Sequence, residues 1–447
     1  MGEWKRVKIS QFLKEREGRY DPGDEAVLGL KRLNKIDFSG EIHLSDKGSK
    51  TDMIIVEPGD LVISGINVSK GALAVYHGEE PITATIHYSS YVFDERQIDI
   101  DYFKRFVRSQ SFVQALKDQV KGGIKTEIKP KHFLPLEIHL PDIESQKEIV
   151  SFFKRIENEM DDLSGEIAHQ QAFLKQLRQQ ILQEAIEGKL TAKWRAQHPE
   201  LIRGDNHASK LLEKIKAEKR TLTESTKHTK KDKPLPPITD AEKPFDLPEG
   251  WVWCRLGELC TGIFTGPFGS MLHKSDYVQN GIATVNPTHI INGQIIADGR
   301  MCVSERTKER LKRYSLTHGD LVIARRGDLS KCAVVQHEQD GWLCGTGSFF
   351  VKCLGVNRNF ICLAYTSQKA QTYLLQDSVG QTMDNLNQKL LRKLPIGLPP
   401  LSEQQAIVER VDKIMTMIDE LEKQVSERKV QSEMLMQSVL REAFAKG

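Results

Sequence analysis

The sequence predicts an α+β protein with two similar globular domains and two long helices that pair antiparallel as a coiled coil. Two observations support this prediction: an internal repeat and two extended heptad patterns. A chain of 447 residues is also too long for one ordinary hydrophobic core, since domains of about 100 to 200 residues are typical. We therefore expect a tandem duplication with a pseudo-two-fold axis.

The repeat is clearest in the pentapeptide GDLVI, which occurs at 59–63 and again at 319–323. Leu134 and Pro135 return as Leu394 and Pro395 at the same offset of 260 (319 − 59 and 394 − 134). Two separate anchors that keep one register indicate a duplicated unit rather than a chance match. The GDLVI segments are also expected to be β-strands.

Two further phrases recur at other offsets. LPDIESQ at 140–146 faces LPPLSEQ at 398–404 at an offset of 258 (398 − 140), so two residues are deleted after the Leu-Pro anchor. WKRV at 4–7 resembles WCRL at 253–256, and each half therefore opens with the same phrase. The repeat spans most of each half.

Each half ends in an apolar pattern with alternating steps of four and three residues, which is typical of a coiled-coil seam. Helices of about 40 to 45 residues would be rods of roughly 60 to 70 Å. An amphipathic helix lying on a globular core would not need so strict a period. The predicted seam residues are Ile149, Phe153, Ile156, Met160, Leu163 and Ile167 in the first helix, and Ile407, Val411, Ile414, Ile418, Leu421 and Val425 in the second.

These patterns set the predicted boundaries. The two domains are 1–140 and 250–398, the long helices are 141–188 and 399–447, and a charged linker occupies 189–249. Inside the linker, 208–222 predicts a short helix, whereas the prolines favour extended chain at 227–237. The basic run in this segment is either a solvated connector or a phosphate contact.

The composition is that of a soluble globular protein, with 39% hydrophobic and 28% charged residues and a net charge of +3. No apolar run approaches the roughly 20 residues needed to span a bilayer, so no membrane association and a cytoplasmic location are expected. The seven cysteines are odd in number and lack C-x-x-C spacing. This pattern favours reduced, buried thiols over a metal site or disulfides.

Two domains, each followed by a long helix that opens with a phrase like LPPLSEQQAIV at 398–408, resemble the specificity subunits of type I restriction-modification systems. The resemblance covers essentially the whole chain. LQEAIEGKL at 182–190 is also similar to the phrase that ends such helices. The first helix departs from the opening phrase, because Ser145, Gln146 and Lys147 stand where the second has Glu403, Gln404 and Gln405.

The resemblance implies two target recognition domains that bind a bipartite, asymmetric double-stranded DNA target. It also implies that the chain docks two methyltransferase subunits, and restriction subunits in the full complex. S-adenosylmethionine, ATP and magnesium would then be bound by the partner subunits, with none bound by this chain. Similar domains related by a two-fold axis suit duplex DNA, whose strands are related in the same way.

Candidate DNA contacts lie in two places in each repeat, after the GDLVI strand and before the Leu-Pro anchor. Arg325 and Arg326 would bind guanine or phosphates, although surface salt bridges account for them equally well. Lys129 and Lys389 match at an offset of 260 (389 − 129), which favours a shared phosphate contact over a solvated loop. The full set of candidates is Lys70, Lys125, Lys129, Arg325, Arg326, Lys331, Gln381, Thr382, Asn385, Asn387 and Lys389.

Two other functions are weighed against DNA recognition. Glu127 and Lys129 form an E-x-K phrase found in many nucleases, but the second repeat has Asn387 in place of the glutamate. No phosphate-binding loop, H-E-x-x-H phrase or adenine-methylation phrase is present, so no catalytic or metal-binding residues are predicted. A structural coiled-coil scaffold would explain the helices and leave the duplicated domains without a task.

Overall fold

The computed structural model describes residues 4–37, 40–65, 72–107, 109–119, 129–225, 234–376 and 386–444. The chain divides into two compact units. The first unit comprises residues 1–169 and 425–447, and the second comprises residues 170–424. Both long helices therefore contribute to both units. Among the described residues, no helix combines the length and the apolar character needed to span a membrane.

The elements of the first repeat are ten strands and four helices within the described residues. They are β1 (Lys5–Lys8), β2 (Leu13–Glu15), β3 (Arg32–Ile36), β4 (Ile42–Ser45), β5 (Met53–Val56), β6 (Leu61–Ser64), β7 (Leu73–Val75), β8 (Ile82–Thr85), β9 (Tyr88–Phe93), α1 (Ile100–Phe106), α2 (Gln110–Gln119), α3 (Pro130–Phe133), β10 (Glu137–Leu140) and the long helix α4 (Ile143–Ile186).

The rest of the described chain contains seven helices and twelve strands. They are α5 (Ala192–Gln197), α6 (Ala208–Ser225), β11 (Val252–Arg255), β12 (Cys260–Thr265), β13 (Tyr277–Val278), β14 (Ile282–Val285), β15 (Ile290–Ile291), β16 (Gln294–Ile295), β17 (Cys302–Val303), α7 (Glu305–Arg310), β18 (Leu321–Ala324), β19 (Cys332–Val334), β20 (Leu343–Cys344), β21 (Ser348–Cys353), α8 (Arg358–Thr366), α9 (Gln368–Gln376), α10 (Gln388–Lys393), β22 (Pro395–Leu398) and the long helix α11 (Leu401–Phe444).

The two repeats have the same topology in their central sheet, as the duplication predicts, and differ in the pairing of their second sheet. A four-stranded sheet in the order β2-β9-β6-β7 has its counterpart in β12-β21-β18-β19. A two-stranded sheet precedes each long helix, β1 with β10 and β11 with β22. A second four-stranded sheet in each unit contains one parallel pair, β3 with β8 and β14 with β20. Each domain is thus an α+β domain with two layers of sheet.

The GDLVI segments form the central strands β6 and β18, which are buried on both faces. In the second unit, Leu321 and Ile323 face a core shared with the helices, and Val322 faces a core shared with the other sheet. In the first unit, Leu61 and Ile63 likewise face one core and Val62 faces the other. A strand covered on both sides is expected to be apolar at every position, which explains the unbroken LVI run.

Strand pairing corrects the alignment of the repeats between the central strand and the long helix. Ile9 N donates to Leu136 O, and Leu256 N donates to Leu394 O, so Leu394 corresponds to Leu136 and not to Leu134. The offset is therefore already 258 here (394 − 136). A two-residue Leu-Pro phrase is too short to set a register, whereas a hydrogen-bonded ladder permits only one.

The corrected register also separates Lys129 from Lys389. Lys129 precedes α3 and Asn387 precedes α10, which makes these two residues the counterparts at an offset of 258 (387 − 129). The predicted match of Lys129 with Lys389 is wrong for this reason. A shared phosphate contact at this pair therefore loses its support.

The long helices α4 and α11 contain 44 residues each and run antiparallel. In the second unit, Arg178 pairs with Glu422, whereas Thr191, just beyond the end of α4, pairs with Glu403. In the first unit, the Ser432 hydroxyl lies 3.8 Å from the Met160 sulfur. Eleven of the twelve predicted seam residues are buried or half-buried: Phe153, Ile167, Ile407, Val411, Ile418 and Val425 are buried, and Ile149, Ile156, Met160, Leu163 and Ile414 are half-buried.

Leu421 is the exception among the predicted seam residues, because its side chain is 46% exposed. The neighbouring Glu422 is less exposed and accepts a hydrogen bond from Arg178 Nε at 2.9 Å. The buried pattern therefore steps by four from Ile418 to Glu422 and by three to Val425, and the prediction had these steps in reverse order. An ion pair occupies the layer that the heptad pattern assigned to leucine.

The segment predicted as a charged linker, 189–249, is folded against the second unit over most of its described length. Helix α6 buries Ala208, Leu212 and Ile215 in the core that also contains Leu321. This apolar stripe at spacings of four and three explains why the segment is not a solvated connector. The short helix predicted at 208–222 is confirmed, and residues 227–233 of the predicted extended part lie outside the described residues.

A buried carboxylate joins this segment to the second long helix. Glu403 is 0% exposed and accepts hydrogen bonds from Thr191 Oγ1 at 2.7 Å and Trp251 Nε1 at 2.9 Å, and it forms an ion pair with Arg195. Its counterpart in the first repeat is Ser145 (403 − 145 = 258). The first helix therefore has a serine at the position where the second helix has the carboxylate that binds the 189–249 segment.

A buried glutamine anchors the start of α11 to its domain. Gln404 is 0% exposed, its Nε2 donates to Pro399 O at 2.9 Å, and its Oε1 accepts from Asn357 N at 2.8 Å. Asn357 in turn caps α8, because its side chain accepts a hydrogen bond from Phe360 N. One amide therefore satisfies backbone groups at the first turn of two helices.

Gln146 makes the same contacts in the first repeat. It donates to Pro141 O at 2.9 Å and accepts from Asp99 N at 2.9 Å, and the Asp99 side chain caps α1 through Tyr102 N. The two anchors match at an offset of 258 (404 − 146). The glutamine of the recurring phrase is thus a structural residue.

We predict that Gln404→Ala lowers the free energy of unfolding by about 1–3 kcal/mol, because it leaves a buried N–H and a buried carbonyl without partners. Urea unfolding of the purified chain, followed by tryptophan fluorescence, measures the effect. Gln424→Ala, at an exposed position of the same helix, is the control and should change stability by no more than about 0.5 kcal/mol. Equal midpoints for the two variants would contradict the anchoring role.

Candidate nucleic-acid interface

Three chain segments of the second unit meet at one end of its central sheet. Thr265 at the end of β12 pairs with Phe349, which also pairs with Ile323 of β18. The residues that follow β12, those that follow β18 and those that precede β21 therefore emerge side by side. Strand ends of this kind position loops on a rigid frame, where binding residues are often found.

Backbone hydrogen bonds hold these segments together. Gly266 N donates to Ser348 O at 3.0 Å, Arg325 N donates to Gly347 O at 2.9 Å, and Leu386 N donates to Arg325 O at 2.9 Å. The last bond brings the chain that enters α10 to the same place. We call residues 266–272, 325–331, 345–348 and 386–389 the strand-end surface.

Glycines permit the close approach of backbone within the strand-end surface. A Cβ atom added to Gly266 would lie 1.9 Å from the carbonyl oxygen of Gly345. A Cβ added to Gly345 would lie 2.2 Å from the Asn286 side-chain oxygen. Any larger residue at either position would force the segments apart.

Arg325 and Arg326 lie on the strand-end surface, directly after β18. Arg325 is half-buried, and its Nε atom has no hydrogen-bond partner among the described residues. Burial, with a further contribution from the charge of Arg326, lowers the pKa of the Arg325 guanidinium. Arg326 is exposed. The two side chains thus differ in environment, the first held close to the protein and the second directed to solvent.

The other candidates differ in their surroundings. Lys331 is half-buried, and its ammonium donates to Pro287 O at 3.1 Å, so it has a structural partner. Asn387 caps α10 by accepting from Lys389 N, and Lys389 is exposed on the same turn. In the first unit, Lys129 is exposed at the start of α3. The remaining candidates lie outside the described residues: Lys70, Lys125, Gln381, Thr382 and Asn385.

Possible metal ligands are sparse in the described part of the chain. One group of three, Asp37, Glu41 and His43, brings ligand atoms within 4.8 Å of one another on the β3–β4 hairpin. Asp37 also accepts hydrogen bonds from Glu41 N and bonds His43 Nε2 at 3.2 Å, which accounts for the arrangement as a hairpin contact. All seven cysteines are free thiols and six are buried. Glu127 of the E-x-K phrase lies outside the described residues.

Sequence comparison identifies the second half of the chain. Residues 248–428 match the family model of the type I restriction modification DNA specificity domain. This range runs from the segment before β11 into α11 and includes the strand-end surface. The second domain and the first part of α11 are therefore similar to a DNA specificity domain of type I restriction-modification systems. The resemblance found in the helix-opening phrase is thereby confirmed.

Curated members of the specificity family are similar to this chain over long segments. The specificity subunit of the Escherichia coli enzyme EcoEI is 27% identical over 326 residues, which are 71% of this chain and 52% of that protein. The E. coli EcoAI specificity subunit is 30% identical over 263 residues, or 56% of this chain and 41% of that protein. The chain thus spans about half the length of the curated relatives it matches.

A solved specificity subunit shares the fold. The HsdS subunit from Thermoanaerobacter tengcongensis superposes with a TM-score of 0.53 at 17% identity, covering 99% of this chain and 96% of that one. At such low identity, agreement over nearly the whole chain shows that the two chains share a fold. This shared fold supports the prediction of two similar domains with long helices.

The one aromatic side chain of the strand-end surface, Phe268, was not among the sequence candidates. It lies in the turn after β12 and is exposed, while Gly266 and Pro267 before it are buried. The phrase GPFG could have indicated this residue, because a phenylalanine between proline and glycine is expected in a turn, where its side chain has no core to pack in. Periodicity carries no information in a segment of this length.

We predict that Gly266→Ala destabilises the second unit by about 1–3 kcal/mol, because the added methyl group meets the Gly345 carbonyl. Gly269→Ala in the same turn is the matched control, since a Cβ there would meet nothing within 4 Å. Differential scanning calorimetry of both variants measures the difference. Equal melting temperatures would show that the segments are not packed as described.

Proposed function

We propose that this chain is the DNA sequence-specificity subunit of a type I restriction-modification enzyme. In this proposal it binds a bipartite, asymmetric double-stranded DNA target, docks two methyltransferase subunits, and carries restriction subunits in the full complex. S-adenosylmethionine, ATP and magnesium are bound by those partners, so the chain binds no cofactor and catalyses nothing itself. The complex acts in the cytoplasm, where it has access to chromosomal DNA.

The observation that carries the proposal is that one frame occurs twice with different segments at its strand end. The central sheets of the two units have the same strand order, and their GDLVI strands are buried on both faces. At the strand end, the first repeat has SGINVSK at 64–70 where the second has ARRGDLSK at 324–331. A common frame with divergent segments suits a protein that reads two different half-sites.

The strand-end surface of the second unit offers groups suited to both parts of DNA recognition. Arg326 and Lys389 are exposed cations, which bind phosphates and contribute affinity that depends on salt. Arg325 has a half-buried side chain, and its Nε has no hydrogen-bond partner within the described part of the chain, so it is suited to a guanine edge, where arginine bonds in a fixed geometry. Phosphate contacts orient a reader and base contacts give it sequence preference.

Mapping DNA methylation tests the proposal directly. The chain is co-expressed with the methyltransferase encoded beside it in a host that lacks adenine methylation, and modified adenines are located across the genome. The proposal requires a motif of two unequal parts with a fixed unspecified gap, methylated on both strands and absent without this chain. A stable complex that produces no new methylation would instead favour a structural scaffold.

We predict that Arg326→Ala weakens binding of the assembled complex to all DNA sequences alike. It should reduce the slope of log affinity against log salt by about one, because one phosphate contact is lost. Arg358→Ala removes the same charge near Gly319, at the opposite end of β18, and should leave the slope unchanged. Titrations of DNA with each variant complex at several salt concentrations measure the two slopes. Equal slopes for the two variants would contradict a phosphate contact at Arg326.

A further inference from the structure

Phe268 is a large apolar side chain held in water on the strand-end surface. It is 59% exposed, although the residues on both sides of its turn, Pro267 and Leu272, are buried. Single exposed apolar residues are common and need no explanation by themselves. The turn that carries Phe268 and the charges around it are what give this residue a role.

The turn is held on both sides of Phe268. Gly266 is bonded to Ser348 and packed against Gly345, as described above. After the turn, Met271 N donates to Phe268 O at 2.8 Å, and Arg310 Nη1 donates to Met271 O at 2.6 Å. Arg310 is itself fixed by Asp276 at 2.9 Å. The exposed position of the ring is therefore set by the folded backbone rather than by a loose loop.

The strand register places Phe268 beside the two arginines. Thr265 of β12 and Ile323 of β18 both pair with Phe349 of β21, so the ends of β12 and β18 lie two strand spacings apart, about 10 Å. Phe268 lies three residues beyond Thr265, and Arg326 lies three residues beyond Ile323, which pairs with Phe349 at the same level (268 − 265 and 326 − 323). An aromatic ring and a cation thus emerge at the same level.

The first repeat presents its counterpart differently. Glu15 pairs with Tyr91 and Ile263 pairs with Val351, so the segments after β2 and β12 align at an offset of 248 (263 − 15). This offset matches Phe268 with Tyr20. Tyr20 is half-buried and exchanges two backbone hydrogen bonds with Met53 at 2.9 Å. At this pair of matched positions, therefore, the aromatic side chain is exposed in the second domain and half-buried in the first.

We infer that Phe268 contacts bases of one DNA half-site and contributes to its sequence preference. This inference rests on the proposed function. An uncharged ring gains nothing from phosphates, whereas it packs against a thymine methyl group or enters between base pairs as a wedge. Arg326 beside it supplies the phosphate contact that would bring the ring to the groove. Asp328 is an acidic residue in the same segment as Arg326. Its carboxylate accepts hydrogen bonds from Ser330 N and Oγ within its own loop.

The test compares methylation rates of duplexes that carry single base-pair changes, using the complex of the full chain with its methyltransferase. For Phe268→Ala we expect discrimination at one or two positions of a single half-site to fall at least about fivefold. The other half-site should be read as before. Phe173→Ala is the matched control, because Phe173 is 58% exposed on α4, and it should leave the preference at both half-sites unchanged.

The possible outcomes separate this inference from the proposed function. If the unmodified chain directs no split-site methylation, the proposed function fails. If it does and Phe268→Ala keeps every base preference, the inference alone is overturned. Uniform loss of activity in an assembled complex would also overturn it, because a base contact affects some sequences more than others. Should Phe268→Ala fail to assemble, Phe268→Leu, which keeps an apolar side chain but no ring, is scored by the same criterion.

Discussion

The attachment of each long helix to its domain depends on one buried glutamine amide. Gln146 and Gln404 each join the first turn of a long helix to the first turn of a domain helix, and neither amide has access to water to replace a lost bond. Because the amide bonds main-chain groups on both sides, the direction in which the helix leaves the domain is determined locally. The same joint is built twice, and each domain thus meets its helix in the same way.

The sequence was most informative where burial imposes a pattern. GDLVI predicted two equivalent strands because a strand covered on both faces admits only apolar residues. The seam of α4 and α11 was largely predictable for the same reason. The seam prediction failed at Leu421, because the ion pair of Arg178 and Glu422 occupies that layer of the helix pair instead. A charged pair between helices is invisible to a pattern that records only apolar positions.

Alignment and tertiary contacts limited the rest. Leu134 and Leu394 looked equivalent by letter, but the ladder between the first and last strands of each domain makes Leu136 the counterpart. The segment 189–249 was predicted as a connector because its charged residues outnumber its apolar residues. The positions of Ala208, Leu212 and Ile215 indicate a buried helix face only when the contacts with the second domain and with Glu403 are known. Arg325 and Arg326 were found because they directly follow a predictable strand. The strands beside them come from distant parts of the chain.

The glycine contact between residues 266 and 345 has a consequence for recognition kinetics. A segment that must become ordered on binding loses conformational entropy at that moment, and this loss weakens the complex. Here the backbone around the residues proposed to read DNA is already confined by the contact of Gly266 with the Gly345 carbonyl. Discrimination between correct and incorrect sites should then appear mainly as a difference in how long each complex lasts, with similar rates of encounter.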